Sequence, residues 1–206
     1  MPESRAEIAA TVHDGRLYVA GGIDVHAVSL TTFEAFDQAT NTWTTLAPLP
    51  EGRDHVGLAA LGGKIYLSGG AIFVRPEVRR DLWVCDPATD AWNTSLPALT
   101  TYDEHLAGVV VDGRAWIIGG RHFSNLATVK VYDPGTNAWT SMPDMPTARG
   151  GLTAGSWSAA GATVESPSRR SSTSSRRRPI SRAAARGHGV KCQLLCHELR
   201  ARGPAG

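Results

Sequence analysis

No apolar run in these 206 residues approaches the roughly 20 residues that a membrane-spanning helix requires, so no membrane partner is expected. Cysteine is scarce. Cys85, Cys192 and Cys196 are too few to frame a fold of this size with disulfides, and no redox compartment follows from them. The start, Met1 to Glu7, has neither the basic residues nor the apolar stretch of a secretory signal, and a cytoplasmic location is the expectation. Aromatic residues stop at Trp157. Charge also divides there: residues 1–155 carry 11 Lys+Arg against 17 Asp+Glu, net −6, whereas 156–206 carry 10 against 2, net +8. The second segment is Ser-, Arg- and Ala-rich and holds too little apolar material to offset the entropy of ordering, so disorder is expected from about residue 160.

What the first segment does contain is repetition. Glycine doublets stand at Gly21-Gly22, Gly69-Gly70 and Gly119-Gly120, spaced by 48 and 50 residues, and tryptophans at Trp43, Trp92 and Trp139, spaced by 49 and 47. Two independent markers share one period. Units then run over about 5–52, 53–102 and 103–148, with a fourth starting at Arg149. In the first three the doublet falls at one constant offset from the start: Arg5 to Gly21, Arg53 to Gly69 and Asp103 to Gly119.

Each unit reads as four short strands. The first (Ile8 to Val12, Val56 to Leu61, Leu106 to Val111) is rich in Gly and Ala and ends at a two-residue hairpin signal, Asp14-Gly15, Gly62-Gly63 or Asp112-Gly113. The second runs into the doublet, where a residue without Cβ permits positive φ or close backbone approach. The third (Phe33 to Phe36, Leu82 to Cys85, Val129 to Tyr132) enters an Asp-led turn, and the fourth opens on the Trp and stops at a proline-bearing linker.

A four-stranded repeat of this length, with Gly-Gly and a Trp after a D-P-x-T-x-x-W turn, resembles the Kelch family of β-propellers. Gln38 stands where the turn proline is usual, and Cys85 where an aromatic is usual. The resemblance implies an all-β fold: a partial propeller of about three antiparallel blades over 1–155, followed by a disordered tail over 156–206. It also implies a full ring of six or seven blades, so the chain reads as a truncated portion. Reading each codon after Gly155 one base earlier allows Gly-Gly at Val164-Glu165, Tyr at Ile180, Pro at Arg182 and Trp at Gly187, which restores the repeat one period after Tyr132, Pro134 and Trp139. A one-base deletion near the Gly155 codon is therefore expected. The basic runs Arg169-Arg170 and Arg176 to Arg178 would suit nucleic acid only if the tail is genuine, and Cys192, Cys196 and His197 fall short of four zinc ligands, so no metal site is expected.

The candidate ligand-binding residues are Arg5, Arg53 and Arg149 at the unit starts, and His55 and His105 two positions further on. The resemblance implies that such arginines line a ligand face and bind an acidic ligand or protein. Gly21, Gly22, Gly69, Gly70, Gly119, Gly120, Trp43, Trp92 and Trp139 are expected to be structural. No Gly-x-Ser-x-Gly elbow or other nucleophile set occurs, so no catalytic residue or cofactor is expected, and the leading reading is a non-catalytic interaction module. The alternative is a fragment of a Kelch-like sugar-active enzyme, similar to galactose oxidases or sialic acid isomerases. Against the copper enzyme, Tyr18, Tyr66 and Tyr132 occupy repeated strand positions and Cys85 a repeat aromatic position, so its ligand set is missing from this portion.

Overall fold

The computed structural model describes residues 1–74, 77–158 and 188–193. Three four-stranded antiparallel sheets follow one another along the chain, each built in the order inner to outer. Blade one comprises Ala9–His13, Arg16–Ala20, Phe33–Asp37 and Thr42–Thr45. Blade two comprises Gly57–Leu61, Lys64–Ser68, Leu82–Asp86 and Ala91–Asn93. Blade three comprises Ala107–Val111, Arg114–Ile118, Val129–Asp133 and Ala138–Met142. The inner strands lie side by side, and Thr153–Ser158 takes the corresponding place next to blade three.

Local chemistry sets the blade geometry. Both central residues of each inner hairpin have positive φ: +46° and +72° at Asp14-Gly15, +59° and +78° at Gly62-Gly63, +50° and +70° at Asp112-Gly113. That is the type I′ turn whose twist suits a two-residue connection. The inner strands begin one residue later than expected, because Glu7, His55 and His105 have φ of +53° to +55° and interrupt the pleat just ahead of them. In the outer turns Asp37, Asp86 and Asp133 each accept a backbone N–H two residues on, at 2.9, 3.0 and 2.8 Å. Backbone N–H bonds, first that of Thr40 to Asp37 and that of Gly135 to Asp133, hold these two carboxyls below their ordinary pKa.

Neighbouring blades are joined by backbone and by apolar side chains. The second glycine of each doublet donates its N–H to the carbonyl of the next unit's first residue: Gly22 to Arg53 at 2.9 Å, Gly70 to Asp103 at 2.9 Å and Gly120 to Arg149 at 2.8 Å. The first glycine lies against the same carbonyl. A Cβ on Gly119, whose φ is +61°, would stand 2.6 Å from the Arg149 oxygen. We expect Gly119→Ala to lower stability by about 2 kcal/mol, from left-handed strain and the displaced carbonyl together. A urea midpoint unchanged from the parent would refute this.

Between blades one and two lie Phe33, Leu49, Val56, Leu58, Ile65 and Leu67, with Cys85 among them. Burial pushes the Cys85 thiol up to about 12, so this cysteine is an inert packing residue in place of an aromatic. The Gly and Ala of the inner strands have a packing reason as well: Gly108 lies against the backbone of Leu58, where a Cβ would come within 2.5 Å of the carbonyl oxygen. Two small ribbons, Ala71–Ile72 with Glu77–Val78 and Arg121–His122 with Ser124–Asn125, are too short for any pattern in the sequence to signal.

Within the segment expected to be disordered, His188–Gln193 forms a strand that pairs antiparallel with Thr153–Ser158, from Thr153 opposite Gln193 to Ser158 opposite His188. This departs from the expectation over His188–Gln193 and over residues 156–158 of the inner strand, where backbone pairing supplies what apolar content does not. The rest of that expectation, with the basic runs and Cys196-His197, lies outside the described residues.

Candidate functional site

Arg5 and Arg53, expected to face a ligand, lie with their side chains buried rather than on an open face. The Arg5 side chain is fully buried and pairs with Glu34 at 2.6 Å. Arg53 is equally buried, stacks over the Trp83 ring at 4.4 Å and reaches Glu51 and Asp81 at 3.0 and 3.1 Å. Burial lowers its pKa, with Asp81 and Glu51 opposing. In blade three the polarity is exchanged: Asp103 stands at the unit start and Lys130 faces it at 2.5 Å. Glu34, Trp83 and Lys130 are all the second residue of a third strand. The unit-start side chain therefore points inward, towards its own blade, and each blade supplies a matched partner. Arg149 is half-buried.

The tryptophans pack between and on the blades. Trp92 donates Nε1–H to the Ala47 carbonyl of blade one at 3.0 Å, and Trp139 donates to Pro97 of blade two at 2.8 Å. Trp43 lies on Phe36, with ring centroids 5.2 Å apart.

His55 and His105, by contrast, are brought together. Their rings lie 3.8 Å apart, and the His105 N–H donates to the His55 carbonyl at 2.9 Å. The same bond joins the His55 N–H to the Glu7 carbonyl and the Gly151 N–H to that of His105, so one left-handed residue per unit steps around the axis. His55 Nδ1 meets Asp54 Oδ1 at 2.6 Å, and its Nε2 lies 3.2 Å from Glu7 Oε2. Burial opposes a charge on His55, but Asp54 and Glu7 outweigh it and raise the pKa; burial, then the neighbouring His55 charge, pushes His105 down. The pair thus favours one charged and one neutral imidazole.

These histidines line a cleft of about 900 Å³ between blades two and three, with Asp54, Glu104, Phe73, Arg121 and Phe123 among its walls. Phe73 and Phe123 stand third after their doublets, as Val25 does in blade one, and Phe73, Phe123 and Val25 are 53 %, 94 % and 82 % exposed, respectively. Phe123 has φ of +60°, a strained conformation for a bulky side chain. Sequence reasoning overlooked this position, although aligning the units on their doublets would have exposed a repeated apolar residue in a loop. It also overlooked Asp54 and Glu104, each directly ahead of its histidine. Among the described residues, His55, Glu104 and His105 could hold a metal ion, their donor atoms lying within 4.8 Å of one another. The expectation of no metal site covers the whole chain, but it is drawn from the tail cysteines and the missing copper-enzyme set and does not weigh this cluster.

A family model of the KLHDC2/KLHL20/DRC7 Kelch-repeats domain matches residues 1–160. The chain is 32 % identical over 166 residues to Kelch-like protein terF of Aspergillus terreus, covering 70 % of this chain and 35 % of that protein. It is 31 % identical over 161 residues to human Kelch repeat and BTB domain-containing protein 13, covering 74 % and 34 %. The chain thus spans about a third of the length of these relatives. The solved structure of YjhT superposes with a TM-score of 0.64 at 19 % identity, covering 75 % of this chain and 56 % of that one, a likeness that carries the fold alone.

Proposed function

Because the chain belongs to the Kelch-repeat family, we propose that it serves as a protein-interaction module whose partner docks on the cleft between blades two and three, without catalysis. The observation that carries this reading is the repeated exposed apolar position, Val25, Phe73 and Phe123. Water-exposed aromatic rings are costly for a folded chain and are the residues from which interface hot spots are made. The cleft also supports a revised partner chemistry. With Arg5 and Arg53 buried in pairs, the charges around it offset one another, Asp54 against His55, Glu77 against Arg79 and Glu104 beside Arg121, so nothing in it calls for an acidic ligand and it favours a segment carrying apolar side chains.

Selection from a random peptide library on the immobilised chain tests this. Selected peptides should carry apolar residues, and Phe123→Ala or Phe73→Ala should weaken them at least tenfold, corresponding to about 1.4 kcal/mol or more, with the urea midpoint little changed. Acidic peptides that bind equally well to both variants would contradict the proposal, and turnover of a sugar by the chain would favour an enzyme instead.

A further inference from the structure

We propose that His55, Glu104 and His105 form a divalent transition-metal site, suited to Zn2+, that ties blade two to blade three at the axial end of the cleft. Donor atoms bound at 2.0–2.1 Å to a tetrahedral ion stand roughly 3.4 Å apart. The donors of the three residues lie within 4.8 Å of one another, so reaching that spacing requires them to close by about an ångström.

Two features distinguish this cluster from a casual grouping. The first is the support behind His55. A metal-ligating histidine turns one ring nitrogen to the ion and gives the other N–H to a carboxylate, which fixes the ring and its tautomer. Asp54 Oδ1 occupies that orienting position on Nδ1 at 2.6 Å. Asp54 is itself 1 % exposed and held on Oδ2 by the Ser29 hydroxyl and by the Phe73 N–H at 3.2 Å. His55 Nε2 is left facing Glu7 Oε2, a half-exposed carboxylate that can serve as a fourth donor.

The second feature is an orphan on His105. Its Nδ1 is buried without a hydrogen-bond partner, 3.5 Å from Glu104 Oε1. A buried polar atom left unpaired is unfavourable, and a cation shared with the Glu104 carboxylate removes that cost. Imidazole and carboxylate donors without a thiolate suit Zn2+ rather than a soft cuprous ion or a hard, all-oxygen Ca2+ site. The donors come from two successive units, so a bound ion adds a cross-blade link beside the His105–His55 backbone bond.

The test uses the full chain with Cys192→Ser and Cys196→Ser, so that tail thiols do not take up metal. Titration with Zn2+ against a chromophoric chelator should show one ion per chain. His105→Phe, which keeps the ring stack, and Glu104→Gln, which keeps the volume, should each weaken binding at least tenfold, whereas His13→Ala on the blade-one hairpin should not. Zn2+ should raise the thermal midpoint of the parent and not that of His105→Phe. If one variant fails to fold without metal, the other carries the reading. No Zn2+ uptake by the parent, or equal uptake by parent and folded variant, overturns the assignment.

Discussion

Replacing Lys130 with methionine should destabilise the chain by roughly 3–5 kcal/mol, because it leaves the Asp103 carboxylate buried without its counter-charge. Asp103 is 1 % exposed, Lys130 is its ion-pair partner at 2.5 Å, and the second Asp103 oxygen is buried with no hydrogen bond. The Thr101 hydroxyl bonds the same carboxylate at 2.6 Å, which is too little to compensate a full charge. The double change Asp103→Arg with Lys130→Glu recreates the blade-one arrangement, Arg5 against Glu34, and should recover more than half of the loss. Urea denaturation of parent, single and double variants measures both effects. A double variant no better than Lys130→Met would show that the pair is not interchangeable between blades. The corresponding truncation at Arg53 should cost less, since the carboxylates it leaves, Glu51 and Asp81, have side chains 42 % and 45 % exposed and can hydrate.

Phe33→Ala should cost about 3–5 kcal/mol, the range for removing a fully buried aromatic side chain. Phe33 is 0 % exposed at the join of blades one and two, 6.0 Å from the Tyr18 ring and 5.2 Å from Trp92, ring centre to ring centre. Its loss removes a contact between blades as well as within one, and repeat proteins draw much of their stability from nearest-neighbour interfaces. Phe36→Ala is the comparison: this half-buried ring packs on Trp43 of its own blade, and its removal should cost less than half as much. Equal losses in thermal or urea unfolding would mean that the blade interface is not the main source of stability.

The strands, the type I′ hairpins at Asp14-Gly15, Gly62-Gly63 and Asp112-Gly113, the Asp-led turns and the blade period are all legible in the sequence. Each rests on chemistry at a short fixed offset: φ > 0 at a glycine, a carboxylate near in sequence to the amide it accepts, a short apolar run bounded by turn residues. The direction of the unit-start side chains is not legible. The family resemblance implies a ligand face for Arg53, whereas the folded chain turns it to Trp83 and Asp81, two strands further along. No local rule fixes a pairing at that separation, because it depends on where the third strand lies relative to the start of the first. The partner exchange between Arg5–Glu34 and Asp103–Lys130 is present in the aligned units, but nothing in either position alone shows that the two side chains meet. The His55–His105 contact belongs wholly to tertiary structure. Two residues at the same position of successive repeats come face to face only because the blades pack around a common axis, which brings donors from separate units into one cleft.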